Sequence, residues 1–112
     1  MFSKKHRLAK TTDIKKAFAR GRGFFYPLFT IKFIKSLPPS RFTVIVSTKV
    51  SKKAVVRNRI KRVLRESLRI NLMSFVEGDY AIIVKPAANK VSSQILREKF
   101  LEGLRASKLL AR

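Results

Sequence analysis

The sequence predicts an α+β domain in which helices pack on a small sheet, and three observations predict it. The hydrophobic period runs near 3.6 residues, then two, then 3.6, two and 3.6 again along the chain. Gly21, Pro38-Pro39, Gly78 and Pro86 fall between those segments, where glycine and proline interrupt regular structure. The chain has 112 residues, 46% of them hydrophobic and with nine Phe, which is enough for one core and too little for two domains. Residues 1–112 are therefore read as a single domain.

The elements follow in order. The first ten residues carry Lys4, Lys5, Arg7 and Lys10 and are expected to form a basic N-terminal arm, residues 1–10. A first helix is expected from Thr11 or Thr12, either of which can cap it. Asp13 falls in the first turn, where the helix dipole favours an acid. Ile14, Ala17 and Phe18 share one face at i, i+3, i+4, and Gly21 is the stop. From Phe24 the period is two. Phe29, Ile31 and Phe33 point one way; Leu28, Thr30, Lys32 and Ile34 point the other. Phe42 to Ser47 reads as another strand, and the Pro38-Pro39 turn before it predicts a hairpin between the two. Ala54 to Leu72 is helical, with Val56, Ile60, Val63, Leu64 and Ser67 on its core side. Tyr80 to Val84 reads as a strand that Pro86 ends. Ser92 or Ser93 caps a last helix with the core stripe Leu96, Phe100 and Leu104. Gly103 costs that helix roughly 1 kcal/mol against Ala unless it serves close packing. The passage from second strand through long helix to third strand is a β-α-β crossover, right-handed by the general rule if the strands are parallel neighbours.

Charge narrows the function. The chain has 27 Lys and Arg against 6 Asp and Glu, a formal net charge of +21. A folded chain so charged repels itself, and a polyanion partner is the leading explanation. There is no Cys, which excludes disulfides, Cys-based zinc sites and thiol catalysis. The single His, His6, lies near a terminus. The acids Asp13, Glu66, Glu77, Asp79, Glu98 and Glu102 form no cluster of the kind that holds catalytic metals. The sequence offers no active site of its own. No apolar run is long enough to span a membrane, and no apolar stretch of a secretory signal follows the basic start. The expected compartment is the cytoplasm.

The strongest local signal lies between Lys52 and Arg69, with eight basic residues and one acid. At 100° per residue, Arg57, Lys61 and Arg65 form one stripe, and Asn58, Arg62, Arg65 and Arg69 form another beside it. Both lie opposite the apolar face. An ordinary solvated helix face mixes signs through i,i+4 acid–base pairs, and here most of those partners are missing. Arg outnumbers Lys in the stripes, which suits bidentate phosphate contacts. A second surface is the sheet face beside the first helix, a groove lined by Phe18, Lys32 and Ile14. Aromatic and cationic groups in a groove suit single-stranded RNA. Phe18 at helical spacing reads equally well as core, and of Phe24, Phe25 and Tyr26 only some can face one core. A structural RNA-binding protein of ribosomal type, without a role in turnover, is the alternative reading. DNA binding lacks a paired helix-turn-helix pattern, and a membrane-surface helix lacks interfacial aromatics.

At Arg57-Asn58-Arg59-Ile60-Lys61-Arg62 the sequence resembles the protein subunit of bacterial ribonuclease P. Lys49, then Ala54-Val55 before Arg57-Asn58-Arg59, looks like the family's signature, with Lys52-Lys53 where many members have a Gly. Arg7-Leu8, Asp13, Phe18, Gly21 and the aromatic-rich strand look like its N-terminal half, and Asp79-Tyr80 through Pro86 like its late strand. The resemblance implies an α-β-β-β-α-β-α two-layer sandwich like domain 2 of ribosomal protein S5, with a left-handed β-α-β crossover. It implies an RNA-binding subunit, itself non-catalytic, of an endoribonuclease that removes the 5′ leader of precursor tRNA. The catalytic RNA is then the cofactor, Mg2+ is bound mainly by that RNA, and no obligatory protein partner is implied. Lys49, Lys52, Lys53, Arg57, Asn58, Arg59, Lys61, Arg62, Arg65 and Arg69 are implied to bind the RNA subunit. Ile14, Phe18 and Lys32 are implied to line the leader groove; Ile14 stands where a Phe is usual, and Lys32 where a Tyr is common.

Overall fold

The computed structural model describes residues 4–110. Its elements are α1 (Thr11–Arg20), β1 (Arg22–Phe25), β2 (Phe29–Lys35), β3 (Arg41–Ile45), α2 (Ala54–Ile70), β4 (Gly78–Val84) and α3 (Ser93–Ala106). Short 3-10 turns at Lys4–His6, Leu72–Ser74 and Pro86–Lys90 join them. The sheet order is β1-β2-β4-β3. β1 and β4 both run antiparallel to β2, and β3 runs parallel to β4. This is the α-β-β-β-α-β-α order that the resemblance implies.

The hairpin expected across Pro38-Pro39 does not form, because β4 lies between β2 and β3. The reason is burial. Tyr80, Ala81, Ile82 and Val84 are all buried, and a strand apolar on both faces belongs in the interior of a sheet. The loop 36–40 therefore steps over one strand, about 10 Å at the usual strand spacing. The true hairpin is β1–β2, turned at Tyr26-Pro27-Leu28 and closed by Tyr26 N–H donating to Phe29 O (3.0 Å).

Cross-strand partners share a face. Phe29, Ile31 and Phe33 thus align with Val84, Ile82 and Tyr80, and these with Phe42 and Val44. Against them α2 lays Ile60, Val63, Leu64 and Leu68, and α3 lays Leu96, Phe100 and Leu104. The rings of Phe42 and Tyr80 stack at 4.8 Å, and Phe29 meets Phe100 edge-on at 5.3 Å. Ser67 sits inside this apolar face because its Oγ donates to Val63 O (3.0 Å). Gly103 has a packing reason: a Cβ there would lie 2.8 Å from the Phe29 ring. α2 stops at Ile70, two residues short of the expected Leu72, and Asn71 Nδ2 donates to Ser67 O at its end (2.8 Å). Ser92 caps α3 as expected, its Oγ accepting from Ile95 N–H (3.2 Å).

α1 lies on the other face. Neither threonine caps it: Lys10 is the N-cap, without a side-chain bond, and Thr11 is already helical. Asp13 instead serves a tertiary contact. Arg41 Nη1 donates to Asp13 Oδ2 (3.2 Å), while its Nε and Nη2 hold Asp79 in a fork (2.9 and 2.7 Å). The fork to Asp79, and then Asp13, raise the Arg41 pKa. One guanidinium so ties α1 to both β3 and β4. Gly21 ends α1 by close approach, not by a left-handed φ; a Cβ there would lie 2.2 Å from Ala17 O.

Candidate nucleic-acid interface

α2 docks with its apolar side and turns its cations outward. Arg57, Lys61 and Arg65 lie along one stripe, half-buried by their aliphatic stems. Asn58, Arg62 and Arg69 are exposed beside them. Among the described residues, no carboxylate lies within ion-pair distance of Arg57, Arg59, Lys61, Arg62 or Arg65. Like charges at i,i+4 weaken a helix by a few tenths of a kcal/mol per pair, so the stripe is tolerated here against local cost.

The other expected residues divide by their contacts. Arg59 turns toward α3, where its Nη1 donates to Ser93 Oγ (2.8 Å). Arg69 is compensated: its guanidinium pairs with Glu66, which lowers the Glu66 pKa and raises that of Arg69. Lys49, Lys52 and Lys53 are exposed on the loop before α2. That loop is shaped by its serines and by buried Val50. Lys49 N–H donates to Ser47 Oγ (3.2 Å), Lys53 N–H to Ser51 Oγ (3.1 Å), and Arg57 Nη1 to Ser51 O (2.9 Å). The loop lysines and the helix stripe thus form one continuous cationic surface.

Sequence reasoning missed where that surface leads. Leu8 N–H donates to Phe42 O (2.9 Å), so the N-terminal segment runs along the outer edge of β3, with Leu8 buried. His6 Nδ1 bonds Ser40 O there (2.8 Å). A cleft of about 500 Å³ lies between this segment and α2, and Arg7, Ile14, Thr43 and Arg65 line it. Arg65 of the helix stripe and Ile14 of α1 therefore share one cleft. Masked by a separation of some fifty positions, that meeting has no local signal.

Of the three expected groove residues, Ile14 lines the cleft with Arg65, one turn of α1 from Phe18. Phe18 is 40% exposed, so it is not plain core; Ala17 is the buried residue of α1. Lys32 lies on the same sheet face as Phe25, its Nζ 5.5 Å from the ring centroid. Phe25 is 69% exposed, whereas Phe24 and Tyr26 pack against the core. The alternation of a strand accounts for that split.

The family model described as Ribonuclease P matches residues 2–108. The chain belongs to the ribonuclease P protein family. The ribonuclease P protein component of Xanthomonas oryzae pv. oryzae is 36% identical over 104 residues, covering 93% of this chain and 72% of that protein. That of Xylella fastidiosa is 35% identical, covering 93% and 77%. The solved structure of the Staphylococcus aureus RNase P protein superposes with a TM-score of 0.89 at 21% identity, over 95% of this chain and 98% of that one, which shows the shared fold. The Thermotoga maritima RNase P protein, solved with 1-(4-fluorophenyl)-2-thiourea, gives 0.78 at 30% identity, over 86% and 94%. Ribonuclease P membership makes the chain a protein component of a ribonucleoprotein that acts in tRNA processing, with the ribonuclease P RNA as its partner. Among the described residues no helix is long and apolar enough to cross a membrane.

Proposed function

We propose that α2 and the loop before it grip the ribonuclease P RNA, and that the sheet face beside α1 receives the single-stranded 5′ leader of precursor tRNA. The RNA then hydrolyses one phosphodiester with magnesium ions it holds itself, and the protein binds and positions without catalysing. The observation that carries this reading is the stripe Arg57-Lys61-Arg65, three cations on one helix face with no carboxylate paired to them among the described residues. The guanidinium forks of Arg57 and Arg65 suit phosphate oxygens, Lys61 adds a point charge between them, and the half-buried stems hold all three in place. Phe18, Phe25 and Lys32 supply stacking surface and charge for unpaired nucleotides.

The test is reconstitution with a bacterial ribonuclease P RNA at low magnesium. The chain is expected to stimulate 5′ maturation of precursor tRNA, and alone, freed of RNA, to cleave nothing. Tight RNA binding without stimulation points instead to a purely structural RNA-binding role. Cleavage by the RNA-free protein would refute RNA-based catalysis.

A further inference from the structure

A second group of cations gathers away from α2. Between the β1 edge and the C-terminal end of α3 lies a cleft of about 710 Å³. Arg20, Arg22, Lys35 and Lys108 line it together with the rings of Phe24 and Tyr26, and no acidic residue lines it. None of these four cations is ion-paired among the described residues. The Arg22 guanidinium lies over the Phe24 ring at the cleft, 4.9 Å from its centroid, a cation–π contact.

Lys108 adds an independent observation. Its φ is 60°, the single positive φ among the described non-glycine residues. It occupies the position just past the end of α3, where Lys108 N–H donates to Arg105 O (3.0 Å) and Leu109 N–H to Leu104 O (3.1 Å). Helices fill that position with Gly or Asn, because a side chain there strains the backbone. The negative end of the helix dipole welcomes a cation, but Arg105 already stands in the last turn. The strained Lys108 lines the cleft, and Arg105 does not.

The sheet register separates this cleft from the α2 surface. Arg22 pairs with Phe33, and Lys35 with Gly78 at the start of β4. The loop into α2 leaves instead from Ile45, which pairs with Ile83 near the end of β4. The loop lysines thus lie at the opposite end of the sheet from this cleft, and the two cationic surfaces lie beside opposite edge strands.

We propose that this cleft is a second RNA site, which holds the phosphates of a run of unpaired nucleotides on Arg20, Arg22, Lys35 and Lys108; the inference rests on the RNA-binding reading above. Concave walls that join cations from four segments to aromatic rings suit a flexible strand better than a rigid duplex. The test titrates the full-length, isotope-labelled chain with a ten-nucleotide oligouridylate and follows its amide resonances. Two sets are expected to shift, one around Phe18, Phe25 and Lys32 and one at the four cleft cations. Arg22→Ala and Lys108→Gly should each weaken the second set, spare the first, and reduce the log–log salt slope of binding at the cleft by roughly 0.7. Lys108→Gly should also raise the thermal midpoint by a few degrees, since it relieves the left-handed backbone, and so separates lost binding from lost fold. A still second set beside a moving first overturns the cleft and leaves the proposed function standing. If neither set moves and ribonuclease P RNA leaves the α2 resonances unchanged, the RNA-binding reading itself fails. A polyglutamate peptide that shifts the second set as strongly as oligouridylate overturns the RNA assignment in favour of an acidic protein.

Discussion

Replacing Arg57, Lys61 and Arg65 together by Ala should change the salt dependence of RNA binding more characteristically than its strength at any one salt. Each phosphate neutralised by a cation releases condensed counterions, which contributes roughly 0.7 to the log–log slope for single strands and 0.9 for duplexes. Three lost contacts should therefore flatten the slope by about 2 to 3. Between 50 and 200 mM salt, the unmodified chain should lose about 20- to 40-fold more affinity than the triple variant. The fold should survive. None of the three side chains is fully buried or ion-paired among the described residues, and their removal relieves like-charge repulsion in α2. The one bond lost is Arg57 Nη1 to Ser51 O, which shapes the loop. Arg57→Lys with Arg65→Lys keeps the charge and loses the forks, so it should keep the slope while weakening binding. The assay is a filter or fluorescence titration against a bacterial ribonuclease P RNA at several salt concentrations. An unchanged slope in the triple variant refutes the assignment of this stripe to phosphate.

Three further outcomes follow from the packing. Arg41→Ala leaves the buried Asp79 carboxylate without its fork and α1 without its tie, and should cost about 2 kcal/mol in denaturant unfolding, discounted because Arg41 is itself a third exposed. Phe18→Ala should weaken binding of leader-bearing precursor tRNA by about 1–3 kcal/mol while sparing mature tRNA, since one stacking ring is removed from an exposed position; equal loss for both would place Phe18 outside the leader groove. Burial raises the Tyr80 pKa well above its ordinary value, so the folded state keeps a proton that the unfolded chain releases. Stability from this source is complete below pH about 10 and declines above it, and Tyr80→Phe should remove that alkaline decline in pH-dependent melting.

Much of the fold was legible because periodicity reports burial directly. The face of α2, the stripe of α3 and a serine cap at Ser92 or Ser93 all follow from local spacing, whereas the packing duty of Gly103 depends on Phe29 from a distant strand. Strand partners were not legible in the same way. A turn at Pro38-Pro39 signals a reversal of the chain but not which strand lies alongside, and β4 arrives from more than thirty positions later to take the centre. The signal was present in its composition, apolar on both faces, yet it competes with a local hairpin rule that usually holds. The Thr cap failed for a related reason: Asp13 and Arg41 fix where α1 starts against the sheet, and a tertiary ion pair overrides a local capping preference. Among site residues, the stripe of α2 was legible from one wheel, whereas the exposure of Phe25 depended on which hairpin formed.

The placement of charge now bears on how two RNA molecules share so small a protein. Nine of the 27 cations lie between Lys49 and Arg69, and seven between Lys4 and Arg20. The sequence separates these groups by some thirty residues, but the edge of β3 brings them together, with Arg7, Ile14 and Arg65 lining one cleft. On the proposed reading, the catalytic RNA on α2 reaches that edge, and α1, which carries both Ile14 and Phe18, leads from there to the leader at Phe18, Phe25 and Lys32. Two polyanions brought so close repel each other, and fixed cations between them reduce the repulsion beyond what dissolved salt screens. Arg7 and Arg65 stand there. Their double replacement should therefore penalise the ternary assembly of protein, RNA and precursor tRNA more than the product of its effects on the two binary complexes. A thermodynamic cycle over those complexes measures the difference, and additivity within about 0.5 kcal/mol would show that the cleft does not couple the two RNAs.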